Sequence, residues 1–165
     1  MKMTPEIHCN CLGSLVANLQ TLEFYIRAIL SELPGAKPCG LVAGQNIFEA
    51  KVGDELLDCP MTSYASLAKL IEDFNKVAPE YKWKTIDLFW VAIRDALAHG
   101  RIAYAFDDKH DAFLMKFSRP VDGKVEVTFN EEMNYAWFQT KITKLAQIHS
   151  DLAEYSTYIE TLKTE

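Results

Sequence analysis

The sequence predicts a mainly α-helical protein, an antiparallel four-helix-type bundle with a small antiparallel β-hairpin insertion between the third and last helices. Two observations carry this. Apolar residues recur at alternating spacings of three and four near both ends of the chain, at Leu12, Leu15, Leu19, Leu22, Ile26, Ile29 and Leu33 and again at Leu145, Ile148, Leu152, Tyr155, Ile159 and Leu162. That is the period of an amphipathic helix. Between Arg101 and Asn130 the pattern changes to short runs rich in β-branched and aromatic residues with turn signals between them, which reads as strands.

Pro34 and Gly35 end the first helix, and Glu23 with Arg27 forms an i, i+4 pair on its surface. Residues 34–60 are rich in glycine and proline and read as an irregular loop with a brief strand around Ile47 and Phe48. A second, shorter helix is expected to start at an N-cap near Thr62 or Ser63, to present Leu67, Leu70, Ile71 and Phe74, and to end before Pro79. The third opens with Thr85 as N-cap and Asp87 in its first turn and closes at Gly100. "RIAYAF", "AFLMKFS" and "KVEVTF" are then strands joined by "DDKHD" and by "VDGK", whose Asp-Gly pair favours a tight hairpin. The last helix is expected after Asn130, with Glu131 and Glu132 in its first turn.

Composition narrows the function classes. The 165 residues are 49% hydrophobic and 24% charged, the balance of a soluble globular chain read as a single domain over 1–165. No apolar run is long enough to span a bilayer and the N-terminus lacks the apolar core of a signal peptide, so a membrane partner is not expected and the cytoplasm is the expected location. The four cysteines, Cys9, Cys11, Cys39 and Cys59, are expected to be reduced thiols. His8, Cys9 and Cys11 in "HCNC" lack the CxxC spacing of a zinc knuckle, and neither metal nor cofactor is expected. A net charge of −6 argues against coating nucleic acid by bulk electrostatics. Between Lys82 and Lys124, however, eight Lys or Arg stand against six Asp, which permits a local phosphate contact.

The stretch "IRDALAHGR", residues 93–101, is the candidate for chemistry. At about 100° per residue, Ile86, Phe89, Trp90, Ile93, Ala96 and Leu97 gather on one side of the third helix and anchor it. Arg94 and His99 border a second stripe of Leu88, Val91 and Ala98, which suggests burial against something else, such as the partner subunit of a homodimer, or equally a long loop or the hairpins. Asp95 and His99 stand at i, i+4, so the carboxylate is expected to orient the imidazole and favour its protonated form, as does the helix C-terminus. Arg94 offers a fork of donors suited to phosphate. An arginine with a poised histidine fits metal-free phosphodiester chemistry. A helix-end cation pair is the plainer alternative, with Arg94 bridging to an acidic residue and His99 capping carbonyls. His110 in a turn and His149 on a helix surface read as solvated, and Trp83, Trp90, Tyr135, Trp137 and Phe138 as core or interface.

Arg94-Asp95-Ala-Leu-Ala-His99 resembles the Arg-polar-x-x-x-His motif of the HEPN superfamily, helical-bundle domains found among prokaryotic toxins, antiphage systems and RNA-processing enzymes. The resemblance implies a metal-independent endoribonuclease assembled across a homodimer, with Arg94 and His99 catalytic and Asp95 the accompanying polar residue. RNA is then the substrate, Arg101 and Lys82 are candidate RNA-binding residues, and an antitoxin is a candidate partner. The hairpin insertion and the long first loop depart from the family pattern. The alternative within the resemblance is a catalytically silent dimerisation or interaction module, antitoxin-like or regulatory.

Overall fold

A computed structural model describes residues 3–40, 47–104 and 111–162. It is mainly helical, with a small three-stranded antiparallel sheet. In order, the elements are α1 (Pro5–Glu32), α2 (Leu67–Val77), α3 (Phe89–His99), β1 (Arg101–Tyr104), β2 (Ala112–Phe117), β3 (Val127–Glu132) and α4 (Tyr135–Leu162). The chain, read from its length as one domain, divides into two compact units: Met1–Thr21 with Asp87–Gln147, and Leu22–Ile86 with Ile148–Glu165. Both α1 and α4 contribute to each.

In the first unit, α1 begins seven residues ahead of its expected seam. Thr4 caps it, its Oγ1 accepting from the Ile7 amide at 3.2 Å, and Pro5 fills the first helical position, where no amide is needed. The buried face there is His8, Cys11, Leu15 and Leu19, while Leu12 is only half-buried. Trp90, Ile93 and Ala96 of α3, Ala112 and Leu114 of β2, Met133, and Phe138 and Leu145 of α4 complete that unit's core. Phe89 and Leu97, expected on the anchoring side of α3, are partly solvated.

The helix start predicted at Thr85 lies further along. Residues 84–86 are irregular, and α3 begins at Phe89, whose amide donates to Asp87 Oδ1 at 2.8 Å. The Asp87 carboxylate thus satisfies an orphan amide in place of the threonine. At the other end Gly100 stops the helix as expected, for a reason of space. A Cβ there would lie 2.3 Å from the Ala96 carbonyl oxygen and 2.7 Å from that of Met115. Only glycine lets α3 pass directly into a strand paired with β2.

The sheet has the order β1-β2-β3, two successive hairpins, with Arg101 opposite Met115, Ile102 opposite Leu114, and Leu114 opposite Glu131. The second hairpin turns at Asp122 and Gly123, both left-handed, between reciprocal Val121 and Lys124 hydrogen bonds of 2.9 Å. This is the turn that Asp-Gly favours. The expected end of β1 at Phe106 and the turn containing His110 lie outside the described residues.

The last helix does not start after Asn130. Glu131 and Glu132 belong to β3, because cross-strand pairing with β2 continues to Glu132 and their side chains are used there. Glu131 accepts from the Trp137 indole and lies 3.5 Å from Lys141, and Glu132 accepts from the Asp111 amide at 2.9 Å. Asn134 caps α4 instead, accepting from the Trp137 amide at 2.9 Å.

In the second unit, Leu22, Ile26 and Ile29 of α1, Leu67, Leu70, Ile71 and Phe74 of α2, and Leu152 and Ile159 of α4 are buried. The N-cap of α2 is Ser66, not Thr62 or Ser63. Thr62 Oγ1 is occupied by the Cys59 amide and the Leu57 carbonyl, and Ser63 by Arg27. The Arg27 guanidinium also donates to the carbonyls of Pro60 and Ala65 and to Glu23. It thereby fixes the chain leading into α2. The expected brief strand at Ile47 is a single 3-10 turn, Ile47–Glu49.

The expectation of reduced thiols fails at Cys39 and Cys59, which form a disulfide. Leu57 donates its amide to the Cys39 carbonyl at 3.0 Å, and this pairing brings the two Cα atoms to 5.2 Å, within bridging range. Cys9 and Cys11 are free thiols, one exposed and one buried.

Candidate functional site

The site is built on the last two turns of α3, in the first unit. Ile93 and Ala96, both fully buried, fix this stretch of the helix; a buried isoleucine contributes about 1.5–3 kcal/mol toward that. Arg94 lies on the exposed side, and no hydrogen bond or ion pair reaches its guanidinium among the described residues. The acidic partner that a purely structural helix-end arginine would take is absent from that set. His99 is also solvated, its side chain 65% exposed. Between them, Ala98 and Leu88 are exposed and Val91 is half-buried.

Asp95 is placed differently from the sequence expectation. One carboxylate oxygen is held by Lys116 Nζ of β2. The other stands 3.7 Å from His99 Nε2, beyond hydrogen-bonding distance. The carboxylate is therefore shared, with the lysine as its bonded partner and the histidine as a neighbour. It does not orient the imidazole by a direct bond.

Lys116 is the residue that reading the motif alone missed. A signal was present in "AFLMKF": Ala112 and Leu114 occupy the inner face of β2, and alternation puts Lys116 on that face too. A lysine at a core-facing position needs a carboxylate within reach. The sequence did not reveal that Asp95, twenty-one residues earlier, would supply it.

Arg101 begins β1 immediately after the motif, with its guanidinium carbon 5.4 Å from the centre of the Phe117 ring. It pairs with Met115 and so lies on the sheet face opposite Lys116. Lys82 belongs to the second unit, where it closes a 3-10 turn in a left-handed conformation at φ 58°. The site built here consists of first-unit residues and does not include it.

Among the described residues of the first unit, His8 is the least exposed titratable group, 2% exposed. Its Nδ1 lies 3.4 Å from the Tyr104 hydroxyl and its ring meets Phe138 edge-on, while Nε2 has no hydrogen-bond partner among the described residues. Burial pushes its pKa below the ordinary histidine value, against an opposing pull from Asp111. Among the described residues no three His, Cys, Asp or Glu side chains are grouped to hold a metal ion. Trp83, Trp90 and Phe138 are buried, as read from the sequence. His149 is half-buried, its ring 5.9 Å from that of Tyr25.

Compared with known proteins, the chain matches no family model, no curated protein and no solved structure. What the fold and site define is a mainly helical protein with an exposed arginine and histidine at the end of one helix, beside a carboxylate that a strand lysine holds. No helix among the described residues is long and apolar enough to cross a membrane.

Proposed function

We propose that this chain is a HEPN-type endoribonuclease that cleaves RNA without a metal, acting as a homodimer of four-helix-type bundles with Arg94 and His99 at the dimer interface. The observation that carries the reading is the state of those two side chains. Both are solvated at the end of α3, and no partner engages the Arg94 guanidinium among the described residues. The exposed Leu88 and Ala98 beside them give a second copy an apolar strip to cover.

In this mechanism His99 takes the proton of a ribose 2′-hydroxyl as that oxygen attacks the adjacent phosphorus. The bond to the 5′-oxygen breaks, and a histidine, that of the same copy or of its mate, returns a proton to the leaving oxygen. The products are a 2′,3′-cyclic phosphate and a 5′-hydroxyl. Arg94 stabilises the charge that accumulates on the non-bridging oxygens. Arg101 is a candidate backbone contact.

The test is cleavage of mixed cellular RNA in EDTA by the wild type, Arg94→Ala and His99→Ala. Cleavage by the wild type that is lost in both variants supports the reading; equal cleavage by all three, or none, defeats it. The acidity of the chain, −6 overall, favours the second reading, a catalytically silent dimerisation or interaction module, antitoxin-like or regulatory, that uses the same face. Self-association unaffected by Arg94→Ala, together with no cleavage, selects it.

A further inference from the structure

The charge balance at the end of α3 gives a role to a residue outside the motif. Asp95 has two neighbours, the Lys116 ammonium and the His99 imidazole. The lysine side chain is 27% exposed and that of the histidine 65%. The less solvated ammonium loses more without its carboxylate. Asp95 accordingly bonds Lys116 and stops 3.7 Å short of His99.

We propose that Lys116 is a positioning residue for His99: from β2 it retains the Asp95 carboxylate, so that the imidazole keeps Nε2 unbonded and available to an anionic ligand. Under the ribonuclease reading, on which this inference rests, that ligand is a phosphodiester. Without the lysine the i, i+4 geometry lets Asp95 close on His99, a pairing that helices support. The imidazole would then hold its proton more tightly, and its Nε2 would be occupied. Among the described residues, the charged groups next to His99 in the structure or along its elements are Arg94 and Asp95 on its own helix, Arg101 two residues on at the start of β1, and Lys116 of β2 through Asp95. Arg101 is on the opposite sheet face with its guanidinium over Phe117. Among the described residues, Lys116 is thus the group that competes with His99 for the carboxylate.

The experiment is an NMR titration of the His99 ring in the full chain, for wild type, Lys116→Met, Lys116→Arg, Asp95→Asn, and Lys116→Met combined with Asp95→Asn. Lys116→Met is expected to raise the His99 midpoint by about half a pH unit or more. Lys116→Arg, which retains the ion pair, leaves it unchanged. Adding Asp95→Asn to Lys116→Met returns it to near the wild-type value. An unchanged midpoint in Lys116→Met overturns the proposal, as does an equal rise when Asp95 is already Asn, because the lysine would then act only through its own charge. If the methionine variant does not fold, Lys116→Gln keeps most of the stem and gives the same comparison. RNA cleavage separates the two ideas. A wild type that cuts no RNA ends the ribonuclease reading and leaves the titration to decide on Lys116. A wild type that cuts RNA, with no change in titration or pH–rate profile on Lys116→Met, ends only the positioning role.

Discussion

Lys116 of β2 and Asp95 of α3 form an ion pair that ties the three-stranded sheet to the helix carrying Arg94 and His99. The sheet following α3 is therefore part of the candidate site and not a decoration on a helical protein. The same junction depends on Gly100, where helix and strand meet.

Gly100→Ala puts a methyl group on two backbone oxygens, 2.3 Å from one and 2.7 Å from the other, and neither can rotate away as a side chain would. We expect a loss of about 1–3 kcal/mol in urea unfolding. If RNA cleavage is present, it should fall as well, since His99 adjoins the distorted residue. A variant as stable as the wild type would show that the helix does not pass so close to β2.

His8 makes the first unit sensitive to acid. Its folded pKa lies below the unfolded one because burial disfavours the imidazolium. The unfolded chain then binds more protons through that interval, so this contribution to stability is complete above about pH 6.5 and declines as the pH falls below it. His8→Phe should flatten this part of the dependence of the urea midpoint on pH between 7.5 and 5. The prediction fails if wild type and variant lose stability in parallel.

Arg27→Ala leaves the carbonyls of Pro60, Ser63 and Ala65 without their common donor. The expected cost is about 2 kcal/mol, together with faster proteolysis between Cys59 and Ser66. Lys at the same position should restore only part of it, because one ammonium cannot reproduce the spread of a planar guanidinium. Full rescue by lysine would show that charge alone matters.

The Cys39–Cys59 bridge spans a sequence separation of 20 residues, and for such a loop restriction of the unfolded chain is worth about 3 kcal/mol. Reductant should lower the urea midpoint of the wild type and leave that of Cys39→Ser unchanged. Equal midpoints with and without reductant in the wild type would argue against the bridge.

Much of the helical content was legible because it rests on periodicity. The buried rows at Leu15, Leu22 and Ile29 and at Phe138, Leu145, Leu152 and Ile159 follow from apolar spacing, whichever neighbours cover them. The Asp122-Gly123 turn was equally legible, since a left-handed pair is a local demand. Helix starts were read less well. Thr62, Ser63 and Thr85 are good caps in isolation, but a cap is chosen by which amides the surrounding chain leaves unpaired. Arg27 and the Cys59 amide claim two of those side chains, and Asp87 serves where Thr85 was expected. Glu131 and Glu132 suit a helix N-terminus by charge, yet strand pairing to β2 and the reach of Trp137 and Lys141 outweigh that preference.

By itself the sequence determined that Arg94 and His99 share the end of a helix ahead of a glycine, because 3.6-residue periodicity and a stop signal are local properties. Only the tertiary structure decided what Asp95 does. Its i, i+4 spacing offers His99 and its place beside β2 offers Lys116, and a partly buried ammonium brought near by strand pairing holds the carboxylate against a solvated imidazole on the same helix.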